Sequence, residues 1–148
     1  GRMVEKGITD ANNMGAAMAP AAIDTLTRYF DAAGRTAADF DLIVTGDLGR
    51  EGSAILCELM EAQGMPLDDR HADCGLLIYD TAAQDKHAGG SGCGCSASVL
   101  NSFILKEMQK GRYKNILFIA TGALMSPTSS MQGENIPSVA HLVNIVGE

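Results

Sequence analysis

The densest concentration of residues able to do chemistry is His87-Ala88-Gly89-Gly90-Ser91-Gly92-Cys93-Gly94-Cys95-Ser96. From Gly89 to Ser96 no side chain is larger than a thiol, so another group can approach the backbone, and glycines adopt positive φ at little steric cost. The apolar helical spacing that follows makes this segment a loop opening into a helix N-terminus. Free N–H groups and a partial positive charge at such an end favour an anion. The same glycines would equally let the helix lie close against a sheet, and both uses stand open. Cys93 could serve as a nucleophile if the helix end lowered its pKa, or simply fill space as a small residue. His87 is either a base or a hydrogen-bonded loop residue. Asp47, which follows Thr45-Gly46, reads first as a helix cap and second as a ligand contact.

Known phosphate motifs do not fit this loop. Gly89 and Gly94 have the outer spacing of a P-loop, but Cys95 stands where its lysine belongs, and no G-x-G-x-x-G register exists. Asp68, Asp69, Arg70, His71 and Asp73 suggest either a cation site or a solvated loop. The cysteines Cys57, Cys74, Cys93 and Cys95 lack the spacing of a zinc framework, so no metal is assigned. Cys57 falls on an apolar helical pattern and reads as a small core residue.

Composition narrows the function classes. The 148 residues are 46% hydrophobic and 20% charged with mean hydropathy +0.05, and no apolar run is long enough to span a membrane. A net charge of −7 and a pI of 4.8 argue against nucleic-acid binding, which needs a basic face. No secretory signal is visible, so the thiols are expected to be reduced and the compartment intracellular. The chain begins Gly1-Arg2 and reads as part of something longer.

The elements that must position these residues follow from periodicity. Residues 2–8 alternate as a strand, and Asp10, Asn12 and Asn13 supply capping chemistry. A helix is expected from about Gly15 to Ala33, stopped by Gly34, with Pro20 tolerable only near its first turn. A strand at 40–46 leads to a second helix from about Arg50 to Gln63. A short strand is placed over Gly75–Tyr79. Beyond the glycine loop, Val99, Leu100, Phe103, Ile104 and Met108 mark a helix ending at Gly111. Residues 114–122 form the clearest strand, central and covered on both faces. A loop from Ser126 to Glu134 precedes a last strand through Val139, His141, Val143 and Ile145. The sequence helix, glycine, strand, Thr-Gly occurs twice, ending at Gly46 and at Gly122, which implies parallel strands joined by helical crossovers. Ligands bind beyond the carboxyl ends of such strands, so Gly46-Asp47, Gly122-Ala123 and the glycine loop should converge.

The same residues resemble the C-terminal half of the thiolase-like superfamily, and specifically the stage V sporulation protein AD family of spore-forming bacteria. The similarity lies in Asp10 to Pro20, Asp41 to Gly49, Asp73-Cys74-Gly75, His87 to Ala97 and Ala120 to Ser129. It implies a single α/β domain over residues 1–148: a thiolase-like half whose mixed, mostly parallel sheet of about four to five strands carries helices on both faces. It further implies an N-terminal half of the same fold, a homodimer, and membrane-protein partners belonging to an uptake channel. The implied location is intracellular in a spore former, peripheral at the forespore inner membrane. The implied role is to load dipicolinic acid, alone or as its calcium complex, into the developing spore. Ketoacyl-synthase relatives place a histidine after a second-half strand and an asparagine or histidine in the glycine-loop position. Here Gly46-Asp47-Leu48 and Gly90 to Cys95 supply neither, so no catalytic residue and no cofactor is assigned. The candidate ligand set is Asp47, His87, Gly90, Ser91, Gly92, Cys93, Gly122 and Ala123. Two other functions compete with this one: acyl transfer through His87 or Cys93, and docking of partners on the alanine- and methionine-rich stretch Met14 to Ala22.

Overall fold

A computed structural model describes residues 1–147. Its five strands, β1 (Met3–Val4), β2 (Leu42–Thr45), β3 (His71–Asp73), β4 (Asn115–Ala123) and β5 (Ser138–Val146), form one sheet in the order β1-β5-β4-β2-β3. Strand β2 runs parallel to both β3 and β4, while β5 is antiparallel to β4 and β1. Parallel neighbours require crossover connections. These come from α2 (Gly49–Ala62) between β2 and β3, and from α4 (Cys93–Val99) and α5 (Leu105–Gln109) between β3 and β4. The architecture is mixed α/β and consistent with a thiolase-like half.

Strand β4 is central, as its unbroken apolar run requires. Leu117 and Ile119 face one core with Ile43, Leu26, Leu56 and Met60, whereas Ile116 and Phe118 face a second core with Val44, Val99 and Ile104. Each such buried side chain contributes about 1.5–3 kcal/mol relative to exposure. The first core lies under α1 (Met14–Ala33) and α2, the second under the α4–α5 segment. In α1 the Asn13 side chain accepts the Ala16 N–H at 3.0 Å, and Gly34 closes the helix at φ 61°. Ala17, Met18, Ala19, Ala21 and Ala22 are buried, which leaves most of the Met14–Ala22 stretch without an outward face.

Several local expectations are corrected. The N-terminal strand shrinks to two residues at the sheet edge. Pro20 sits in the second turn of α1, not the first, because the helix already begins at Met14. No strand covers Gly75–Tyr79: the pairing stops at Asp73, and α3 (Cys74–Leu77) follows. A methyl group at Gly75 would lie 2.4 Å from the Gly90 carbonyl oxygen, so this turn is pressed against the glycine loop. Leu77, Ile78 and Tyr79, expected in that strand, are exposed. The Ser126–Glu134 loop contains α6 (Pro127–Met131), started by Pro127 and a reciprocal Ser126–Ser129 cap. The helix after the glycine loop is interrupted by a π-helical turn at Leu100–Ile104.

Candidate functional site

Strand β2 is buried along its whole length and ends at Thr45, just before Gly46. A methyl group there would lie 3.1 Å from Thr121 Oγ1 and 3.2 Å from Thr121 N. The bare backbone thus lets β2 and β4 come together at their carboxyl ends. Asp47 occupies the meeting point. Its Oδ1 accepts the Thr121 hydroxyl at 2.9 Å, and its Oδ2 accepts the Gly92 N–H at 2.7 Å and the Ser91 hydroxyl at 3.2 Å. The anion seated on the glycine loop is therefore a carboxylate of the protein itself.

Capping of α2 falls to a different aspartate. Asp73, only 1% exposed, accepts the Leu48 N–H at 2.8 Å, the Gly49 N–H at 3.0 Å and the Thr45 hydroxyl at 2.7 Å. The expectation that Asp47 caps this helix is corrected: no side chain of Asp47 reaches those amides, because Asp73, at the end of the neighbouring parallel strand, already holds them. Burial pushes the Asp73 carboxyl above its ordinary range, and hydrogen bonds from Thr45, Gly49, Leu48 and Gly75 oppose that rise.

A buried relay extends from this cap. With its proton given to Asp73, Thr45 Oγ1 accepts from His71 Nε2 at 3.1 Å, which leaves His71 Nδ1 to accept from the Cys57 thiol at 3.4 Å. The tautomer is assigned from this network. Burial pushes His71 down to about 4, so the ring is neutral, and burial likewise raises Cys57 and Cys95 and takes Cys74 to about 12. Those three thiols stay protonated at neutral pH and are poor nucleophiles. In the charged stretch before β3, Arg70 stands 3.6 Å from Asp68 and 3.8 Å from Asp69. Among the described residues no group of three or more His, Cys, Asp or Glu side chains is placed to hold a metal ion.

The glycines of the loop divide into a packed pair and an open pair, and the packed pair lies against the turn after β3, not against the sheet as anticipated. Gly89 and Gly90 are packed: methyl groups there would lie 2.6 Å from the Gly75 carbonyl oxygen and 2.7 Å from Ile78 Cγ2, and the Gly90 N–H donates to Gly75 at 2.6 Å. Gly92, at φ 97°, and Gly94 have nothing within 4 Å of such a group. The open part of the loop is the part Asp47 holds.

A family model described as stage V sporulation protein AD matches residues 1–146. The chain belongs to that family. The stage V sporulation protein AD of Bacillus subtilis (strain 168) is 50% identical over 141 residues, covering 95% of this chain and 41% of the relative. This member of the family therefore spans well under half the length of the curated relative it matches.

Within this family member the anticipated site residues divide into groups. Asp47, Ser91 and Gly92 come together, joined by Thr121. Gly90 packs behind them and also borders a cleft of about 450 Å³ whose lining includes Asp10, Asn12, Asp47, Arg50, Glu51 and Ser91. Cys93 follows Gly92 and is exposed. Gly122 and Ala123 continue β4 past Thr121, paired with Val139 and Ser138, and border a separate apolar groove. His87 lies apart: its exposed ring pairs with Asp85 at 2.8 Å, and only its carbonyl, which accepts from Arg50 Nε at 2.9 Å, joins the loop to α2. Sequence reasoning missed Thr121 and weighed Asp73 only as part of a cation site or a solvated loop. The repeated Thr-Gly was their signal, since each threonine, at or near the carboxyl end of its strand, donates its hydroxyl to an aspartate.

Proposed function

We propose that this chain binds dipicolinic acid as its calcium complex, without catalysis, for uptake into the developing spore. The observation that carries this reading is the Asp47 carboxylate, held by Thr121, Ser91 and Gly92 at the mouth of the 450 Å³ cleft. That volume lies within the range of small-ligand sites. A bare dianion entering the cleft would meet Asp10, Asp47 and Glu51 with Arg50 as the one cation in the lining. Calcium chelated by the pyridine dicarboxylate reverses that balance, because the metal's open face suits carboxylate oxygens. The His87 ring is engaged by Asp85, and among the described residues no hydrogen bond joins it to a thiol, which favours binding over acyl transfer.

Resemblance supports the rest of the proposal: an N-terminal half of the same fold completing the site, a homodimer, and a peripheral location beside membrane-protein partners of the uptake channel. Among the described residues no helix is long and apolar enough to cross a membrane. The test is a calorimetric titration of dipicolinate with and without calcium. Saturable heat with calcium, at least tenfold weaker without it, is the expected result. Absence of heat in both titrations would end the proposal.

A further inference from the structure

A second cleft, of about 700 Å³, shares no lining residue with the glycine-loop cleft. It opens between β1 and the helices α1 and α2. Val4, Pro20, Ile23 and Leu59 give it apolar walls, while Arg2, Lys6 and Arg28 ring it with cations. In a chain of net charge −7 that grouping is unusual. Its two acids are already engaged: Asp24 takes a forked pair of bonds from Arg2 and stands 4.0 Å from Arg28, and Glu5 accepts from the Asn135 amide. Lys6 has no carboxylate within pairing distance among the described residues. Thr27 donates to the Gln63 amide oxygen at 3.3 Å, and among the described residues the Gln63 NH₂ group has no protein acceptor. Pro20 adds a second kind of observation. A proline inside a helix removes a backbone hydrogen bond, yet this one is only partly buried and presents its ring to the cleft.

We propose that this cleft binds a small organic carboxylate with an apolar body, its charge over Lys6 and Arg28 and its apolar face on Pro20, Ile23 and Leu59. The volume suits such a ligand, and apolar walls with a few polar donors are the usual composition of small-molecule sites. Binding here needs no divalent cation, in contrast to the glycine-loop corner.

The test uses benzene-1,3-dicarboxylate and acetate, each titrated into the isotopically labelled protein in the presence of a chelator and followed by amide chemical shifts. The aromatic probe should give saturable shifts at Lys6, Thr27, Arg28 and Gln63, with acetate at least tenfold weaker. A Lys6→Ala/Arg28→Ala variant, altered only at exposed positions, should retain the dispersed spectrum and lose at least tenfold in affinity. The proposal is overturned by non-saturating shifts, by equal affinity for acetate, by full affinity in the double variant, or by shifts confined to the glycine loop.

Discussion

Asp73 and Asp47 sit at the ends of neighbouring β-α connections and use the same chemistry, yet only one of them faces outward. Each accepts a threonine hydroxyl from the neighbouring parallel strand and a backbone N–H from the start of a helical segment. Asp73 is sealed at 1% exposure and holds the start of α2. Asp47 is half-buried, lines a cleft and holds an open stretch of loop. The difference separates scaffold from site: a sealed carboxylate can only fix geometry, whereas one with a free side can exchange partners.

Substitution of the two aspartates should break or sharpen this contrast most strongly. Asp73→Ala strands a buried hydroxyl and two buried amides, and at about 1–3 kcal/mol for each group left without a partner it should cost upwards of 3 kcal/mol. Urea unfolding checks this, and a cost no larger than that of Asp47→Ala would erase the distinction. The buried relay behind Asp73 should next show itself in pH dependence. His71 takes a proton near 6.5 in the unfolded chain but only at about 4 in the fold. Stability present above 6.5 is therefore lost as pH falls towards 4, by about 3 kcal/mol for this group. Asp73, whose carboxyl is raised, acts in the opposite sense. The readout is accordingly the difference between wild type and His71→Asn in unfolding midpoint across that window, and a difference that stays constant with pH would contradict the assignment. The threonines give a smaller version of the same contrast. Thr45→Val should cost about 1–3 kcal/mol by taking a donor from the Asp73 carboxyl and an acceptor from His71 Nε2, and Thr121→Val about 0.5–1.5 kcal/mol because water can replace it. Equal costs in thermal unfolding would place both sites in the same environment.

The sequence made most of the frame legible. The apolar run 116–119 predicts a central strand covered on both faces, and Gly34 and Gly111 predict where helices stop. The convergence of Gly46-Asp47 with the glycine loop was also readable, since topology alone brings strand ends together. What could not be read was which aspartate does which job. Asp47 adjoins α2 in sequence and looks like its cap, but the amides of Leu48 and Gly49 point to Asp73, which arrives from β3, 24 residues beyond Gly49. Capping by a residue distant in sequence leaves no local pattern. The strand expected over Gly75–Tyr79 failed for a similar reason: contact with Gly90, not local propensity, decides the path after Asp73. The apolar character of Gly122-Ala123 depends on β5 beside it, which single-strand reading does not include.

The most direct measurement is a titration of calcium dipicolinate into the wild-type protein and into Asp47→Asn, with circular dichroism and urea unfolding on both. Removing one charge from a half-buried, partly solvated side chain should change stability by no more than about 1 kcal/mol, while affinity for the calcium complex falls at least tenfold. An Asp47→Asn protein that binds the complex as tightly as wild type would contradict the account, and would make Asp47 a second scaffold residue alongside Asp73.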